Sequence, residues 1–278
     1  MKKWYAVIGD PIAQSMSPAM HDEWFAANEM DASYIPIHVT AERLEEAVGS
    51  LRTLGCSGWN VTVPHKQAII PFLDRLDASA ELMNAVNTVR VEADGSLVGF
   101  NTDGRGFVRA LEESCGKHPG EGKVLLVGAG GAARGIAFAL HAAGYGPLSI
   151  TNRTLEKARS IAVGLPNASS LTITEAESSL SNFKLIVQTT TVGMHFAQHG
   201  MPFNPNRLAE EAIVADIIYN PLETEFLENA RANGAETMNG IGMFVHQGAL
   251  AFETWTGTYP NTKKMIEKIT TILGGQQC

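Results

Sequence analysis

The chain has 278 residues, 45% of them hydrophobic, which is more than one average core needs and points to two domains. Only 18% of the residues are charged and the formal net charge is -8, which disfavours nucleic acid or an anionic membrane surface and leaves small molecules as partners. Cys56, Cys115 and Cys278 lack metal-ligand spacing and cannot all pair, so a reducing compartment is expected. The stretch from Met1 to Ile8 holds no cleavage-site pattern, and no apolar run approaches membrane-spanning length. A soluble cytoplasmic protein is expected.

Taken in chain order, Trp4 to Ile8 reads as a strand. Ser17-Pro18 reads as an N-cap with proline at the first helical position, opening a helix that carries Trp24 and Phe25. Tyr34 to Val39 is a second strand, and Leu44, Val48 and Leu51 share a face of the next helix. Gly58 to Val63 is a third strand, and Pro64 sits where a helix starts. Val86 to Val91 faces Leu97 to Phe100 across the turn signal Asp94-Gly95, so this half, residues 1–102, is a mixed sheet. A short helix near Phe107 and Leu111 leads to the breaker-rich stretch from Gly116 to Gly122. Lys123 to Val127, Leu148 to Thr151, Lys184 to Gln188 and Ile213 to Ile218 then alternate with helical patterns, the signature of a doubly wound parallel sheet over residues 103–238. Two helices, about Met243 to Trp255 and Asn261 to Leu273, are expected to return to the first domain as residues 239–278.

The strand Lys123 to Val127 runs into Gly128-Ala129-Gly130-Gly131-Ala132-Ala133, and an Ala-rich helix follows. Gly128 permits a tight turn, Gly130 lets the backbone approach a pyrophosphate, and Ala133 is small enough for helix and strand to pack. Free N–H groups at the helix start would hold the phosphates. About twenty residues on, where an NAD protein presents an acid to the ribose, stand Asn152, Arg153 and Thr154, with Lys157 one turn later. A guanidinium without an acid suits a 2′-phosphate and favours NADP; the alternative is that both cations are ordinary solvated ones.

Four further segments place polar residues at strand ends or in the loops that follow: Gly9 to Pro18, Asn60 to Lys66, Ala85 to Thr88 and Asn101 to Gly104. Ser15 and Ser17 precede a helix start and suit a carboxylate, although Ser17 also reads as a plain N-cap. Lys66 falls in the first turn of the helix expected from Pro64, where the macrodipole disfavours a structural cation and an acid or base is better placed. Asp103 could orient it and share the proton of a substrate hydroxyl; a surface lysine and a turn aspartate are the alternative.

These segments, with Gly128 to Ala133, Asn152 to Thr154, Asp216 to Pro221 and Asn239 to Gln247, resemble the shikimate dehydrogenase family along essentially the whole chain. The resemblance implies an N-terminal substrate domain, a Rossmann-like NADP domain and reversible reduction of 3-dehydroshikimate to shikimate in a cleft between them, without a metal. It implies that Ser15 and Ser17 bind the substrate carboxylate with Tyr219 nearby. It further implies that Thr62, Asn87, Asp103 and Gln247 meet the ring hydroxyls and that Lys66 is the general acid/base. Gly128, Ala129, Gly130, Gly131, Ala132, Asn152, Arg153, Thr154 and Lys157 would hold NADP, with Thr190 near the cofactor and Ile217 and Gly240 beside the nicotinamide.

Three departures stand out. Asn84 replaces the glycine of the family's Gly-Ala-x-Asn-Thr, Gln188-Thr189-Thr190 replaces Asn-Ala-Thr, and the match of an acidic residue near Asp77 and Ala78 is loose. A quinate/shikimate dehydrogenase using NAD, a non-catalytic NADP sensor and a methyltransferase stay open as other readings. So does whether the protein is a homodimer.

Overall fold

The computed structural model describes residues 2–115, 122–194 and 200–275. The stretch expected to break the chain after Cys115 lies, from 116 to 121, outside the described residues. The chain divides into two units: Met1–Thr102 with Gln247–Met265, and Asp103–His246 with Ile266–Cys278.

In the first unit the order is β1 (Lys3–Gly9), α1 (Ser17–Ala27), β2 (Ala32–His38), α2 (Leu44–Thr53), β3 (Gly58–Val61), α3 (His65–Ala68), β4 (Arg75–Leu76), α4 (Ala78–Met83), β5 (Thr88–Val91) and β6 (Leu97–Phe100). The sheet order is β2-β1-β3-β5-β6-β4. β1 runs parallel to β2 and β3, whereas β5 is antiparallel to both β3 and β6, so the sheet is mixed as expected. The hairpin between β5 and β6 turns at Gly95, whose φ of 81° suits glycine. Side chains of β1 alternate between layers: Ala6 and Ile8 join Trp59, Val61 and Leu97, while the Tyr5 ring stacks on Phe25 at 5.1 Å.

Three local expectations are corrected here. Ser17 is not the N-cap of α1: Met16, at φ -82° and ψ -5°, already has helical backbone angles, Ser17 opens the helix, and no side chain caps it. The third strand ends at Val61 rather than Val63, because its partner β5 pairs only with Gly58 to Asn60, and Val63 is 66% exposed. Pro64 flanks α3 rather than opening it, and α3 is a single turn of four residues. Lys66 thus sits on far less of a macrodipole than a full helix would provide.

The second unit opens with α5 (Asp103–Cys115), which is 13 residues and not the short helix expected. There follow β7 (Lys123–Val127), α6 (Gly131–Ala142), β8 (Leu148–Thr151), α7 (Leu155–Ala162), β9 (Ser169–Leu171), α8 (Ile173–Ser178), β10 (Phe183–Gln188), β11 (Ile213–Asp216), α9 (Glu225–Ala232) and β12 (Glu236–Met238). The sheet order is β12-β11-β10-β7-β8-β9, and every pair is parallel, so this is the doubly wound sheet expected from the sequence. Its strands are apolar on both faces because both are covered: Val124 and Leu126 of β7 pack with Ile136, Leu140 and Phe107, while Leu125 and Val127 pack with Ile186, Val214 and Phe226. Of the short elements, β4, β9 and β12 carry two or three residues each, too few to show a period.

The last two helices are α10 (Ile241–Thr256) and α11 (Thr262–Gly274). Residues 247–265 group with the first unit, and 239–246 and 266–275 with the second.

Candidate active site

In the second unit the reversal of strand order falls between β7 and β10, and ligands of open parallel sheets bind beyond the carboxyl ends of the strands at such a point. The expected cofactor residues gather along that edge. β7 ends in Gly128, whose φ of 114° suits only glycine and where a Cβ would lie 2.5 Å from Thr189 Oγ1. Gly130 flanks α6 with extended backbone, and nothing lies within 4 Å of where a Cβ would stand on Gly130 or Gly131. A bulky group can therefore approach this backbone closely. The first intrahelical bond is Arg134 N–H to Gly130 O, so the N–H groups of Gly131, Ala132 and Ala133 have no acceptor within α6 and form an anion cradle. Ala133 is completely buried, as the third position of the glycine motif requires. A dinucleotide's pyrophosphate fits this cradle.

The end of β8 lies beside the glycine turn, since Gly128 N–H donates to Thr151 O at 2.8 Å. Asn152 Nδ2 bonds Thr154 O at 2.9 Å, Thr154 flanks α7, and Arg153 and Lys157 are both exposed. No carboxylate occupies positions 152–154, and the nearest that follows, Glu156 in the first turn of α7, pairs with Arg159 at 2.5 Å. At the end of β10, Thr189 Oγ1 donates to Val127 O at 2.7 Å, and Thr190 Oγ1 accepts from Val192 N–H at 3.2 Å. Beyond β11, Ile217 N–H donates to Gln188 O at 3.1 Å, and Gly240 N–H to Ile218 O at 2.8 Å. A Cβ on Gly240 would lie 2.5 Å from the Ile217 carbonyl carbon and closer still to its oxygen, so only glycine fits.

Asp216 received no role from the sequence, yet it organises this loop. It is completely buried and accepts from Ile218 N–H at 2.9 Å and Thr224 Oγ1 at 2.8 Å. Thr224 Oγ1 in turn caps α9 by accepting from Leu227 N–H. Burial pushes the Asp216 carboxyl up to about 6, against the two bonds that favour its charge. Tyr219, three residues on, packs on the Phe244 ring at 5.0 Å, and burial raises its phenol above the ordinary value.

In the first unit the expected substrate residues lie at one edge of the mixed sheet. Thr62 follows β3, and its N–H donates to Ile8 O at 3.0 Å, next to Gly9 at the end of β1. Because β5 is antiparallel to β3 and β6, Asn87 before β5 and Thr102 after β6 come to the same edge. There Asn87 Nδ2 donates to Thr102 Oγ1 at 2.9 Å, and Asn87 Oδ1 accepts from Thr102 N–H at 2.9 Å. Asn60 Nδ2 donates to Asn87 O at 3.0 Å and Thr88 Oγ1 at 3.1 Å, while its Oδ1 accepts from Tyr34 Oη at 2.6 Å. Ser17, buried at the start of α1, leaves its hydroxyl uncommitted to the helix, since no side chain caps α1. Ser15 Oγ accepts from Ser17 N–H at 3.3 Å. A buried polar chain thus runs from Tyr34 through Asn60 to Asn87 and Thr102, and each member is held by its neighbour.

Lys66 is half-buried on α3, and its carbonyl accepts from Val86 N–H at 2.7 Å, tying the turn to the loop that carries Asn87. The adjacent His65 is completely buried and bonds Val39 O through Nε2 at 2.6 Å. Both partners restrain the Lys66 backbone. Asp103 directly follows Thr102 in the chain, is 8% exposed and opens α5, where a carboxylate complements the helix N-terminus. The next residue, Gly104, approaches α6 so closely that a Cβ would lie 2.8 Å from Ala139 Cβ. Gln247 lies half-buried on α10.

No role follows from the sequence for Tyr34, His65, Asp216 and Thr224, whose hydrogen bonds hold the segments around these two edges. Their only signal was a polar group in an apolar context, which does not distinguish a satisfied core residue from a site-forming one. Two of the departures have local explanations. Asn84 terminates α4 in the left-handed region, at φ 48° and ψ 42°, a conformation that glycine and asparagine both accept. Asp77 caps α4 by accepting from Ser79 N–H at 2.9 Å.

An all-parallel doubly wound sheet with an anion cradle at its switch point, joined to a mixed-sheet unit with a polar edge, defines a two-unit α/β protein of the dinucleotide-dependent class. Three family models match the chain in order: shikimate dehydrogenase substrate binding domain over residues 7–89, shikimate/quinate 5-dehydrogenase over 111–221, and shikimate 5′-dehydrogenase C-terminal domain over 240–270. The shikimate dehydrogenase (NADP(+)) of Lysinibacillus sphaericus is 56% identical over 275 residues, covering 99% of this chain and 100% of that one. Among solved structures, the Thermus thermophilus shikimate 5-dehydrogenase in complex with NADP(H) and shikimate matches at a TM-score of 0.88 and 34% identity, over 97% of this chain and 99% of that one. The quinate dehydrogenase of Corynebacterium glutamicum in complex with NAD matches at a TM-score of 0.88 and 32% identity, over 97% and 99%. The chain belongs to the shikimate dehydrogenase family.

Proposed function

We propose that the chain catalyses the reversible NADPH-dependent reduction of 3-dehydroshikimate to shikimate, a step of the shikimate pathway towards chorismate and the aromatic amino acids. The observation that carries this reading is the gathering of the family's motif residues at one sheet edge in each unit. The second unit binds the dinucleotide and the first binds the substrate. When bound, NADPH supplies the hydride that the reduction consumes.

The residues of the chain do the rest. The Ser15 and Ser17 hydroxyls bind the substrate carboxylate, with the Tyr219 phenol nearby; Thr62, Asn87 and Gln247 bind ring hydroxyls. Lys66, as ammonium, donates a proton to the alkoxide oxygen formed on reduction and takes it back in the reverse direction. Asp103 shares the proton of a substrate hydroxyl. Gly130 to Ala132 and their N–H groups hold the pyrophosphate, and Arg153 with Lys157 meets the 2′-phosphate. A family neighbour holds NAD, so the fold alone does not select the cofactor; Arg153, with no acid at positions 152–154 and with Glu156 engaged by Arg159, is what favours NADP.

The location is cytoplasmic, which agrees with free Cys56 and Cys115. No helix among the described residues is long and apolar enough to cross a membrane. A homodimer rests on the family resemblance alone, and sedimentation of the purified chain tests it. The test of function is initial-rate assay of shikimate and quinate against NADP and NAD, with shikimate and NADP expected to give the highest kcat/KM. Absence of turnover with shikimate and either cofactor refutes the reading.

A further inference from the structure

The structure assigns Gln188 as a positioning residue that clamps the Thr189–Val192 turn into the shape in which it faces the glycine turn. This assignment rests on the reading of the second unit as the NADP-binding one. Gln188 ends β10 and is completely buried. Its side-chain amide folds back along the chain that follows it. Oε1 accepts from Thr190 N–H, while Nε2 donates to Thr190 O at 3.2 Å and to Val192 O at 3.0 Å. One side chain thus satisfies three backbone groups of a turn that has no regular secondary structure of its own.

The turn needs that support because its outward groups face the cofactor edge. Thr189 N–H and Oγ1 both bond Val127 O, at 2.8 and 2.7 Å, immediately before Gly128. The space that a Cβ on Gly128 would need is filled by Thr189 Oγ1 at 2.5 Å and Thr190 Cγ2 at 3.0 Å. The wall against the glycine turn is therefore built from residues whose backbone Gln188 holds. The Gln188 carbonyl also accepts from Ile217 N–H at 3.1 Å, so the same residue touches the loop after β11. Asparagine, the residue common in the family at this position, has a side chain shorter by one carbon–carbon bond, about 1.5 Å. On this backbone its amide would not span to Val192 O, four residues on. The longer side chain is matched to this chain's own turn.

The experiment uses the full chain with Gln188→Asn and Gln188→Met, the second of which keeps volume but removes all three bonds. NADPH dissociation constants are read by nucleotide fluorescence, shikimate KM by initial rates at saturating NADP, and folding by thermal melting. Both variants are expected to bind NADPH about tenfold more weakly, the order set by losing one or two net hydrogen bonds, with shikimate KM within about twofold of wild type. NADPH affinity within about twofold of wild type in either folded variant overturns the proposal. Equal loss of shikimate and NADPH affinity also overturns it, because a generally loosened fold moves both. Should Gln188→Met fail to fold, Gln188→Asn decides alone. Wild-type protein that binds no NADPH refutes the cofactor reading itself, an outcome separate from failure of the clamp.

Discussion

Gly240→Ala is the smallest change that tests whether the loops after β11 and β12 form the nicotinamide side of the site. The added Cβ would stand 2.5 Å from the Ile217 carbonyl carbon and 2.9 Å from that of Ile218, distances below the 3.0 Å that real Cβ atoms respect. These are backbone atoms, so no side-chain rotation relieves the contact. The loop must give by at least about 0.5 Å, and it cannot do so while Gly240 N–H keeps its 2.8 Å bond to Ile218 O. Such overpacking costs about 1–3 kcal/mol of stability, and misplacing reacting groups by about 1 Å costs about 100-fold in rate. With a displacement near half of that or more, kcat/KM for shikimate oxidation should fall by roughly 10- to 100-fold. The assay is NADPH absorbance at fixed shikimate, paired with a thermal melt. Gly49→Ala on α2 is the matched control: nothing lies within 4 Å of its Cβ, and it should leave rate unchanged and stability unchanged or slightly raised. If folded Gly240→Ala keeps kcat/KM within about threefold of wild type, Gly240 does not border the reacting centre.

Lys66→Ala should lower turnover by roughly two to four orders of magnitude while NADPH and shikimate still bind, and the double variant with Asp103→Asn should be little worse than the poorer single one. Additive losses, read from kcat in all three proteins, would separate the two residues. Arg153→Ala should raise the KM for NADP far more than that for NAD, since only NADP carries the phosphate; equal changes would remove the 2′-phosphate role. Asp216→Asn tests linkage at the buried carboxyl. Its folded value, about 6, lies above the ordinary 3.8, so its favourable contribution is complete below pH 3.8 and is lost as pH rises through about 6. That interval corresponds to about 3 kcal/mol, so denaturant unfolding should show Asp216→Asn gaining on wild type by up to that amount between pH 4 and pH 7. A difference that does not vary with pH would show that Asp216 titrates as an ordinary carboxyl.

The parallel sheet of the second unit was legible in the sequence because its strands are buried on both faces: Lys123–Val127 and Leu148–Thr151 read as apolar runs with the bounds they have in the structure. The glycine turn was legible for a similar reason, since Gly128 and Gly130 are demanded by backbone angle and close approach, which act locally. Asn84 could be seen as a departure, but only its left-handed backbone shows why it is a mild one. The first unit yielded less. Ser17 looked like a helix cap because the local pattern offers its hydroxyl to the helix, whereas in the fold the helix already begins at Ser17, after Met16 in helical backbone angles, and no side chain caps it. The helix expected to start at Pro64 is a single turn of four residues after it, and what holds Lys66 in place is His65 on Val39 and its own carbonyl on Val86. Local spacing therefore determined which backbone segments could turn, cap or run straight. Only tertiary structure decided where each buried polar group finds its partner, because those partners lie 15 to 62 residues away in the chain: Tyr34 with Asn60, Asn87 with Thr102, Thr189 with Val127.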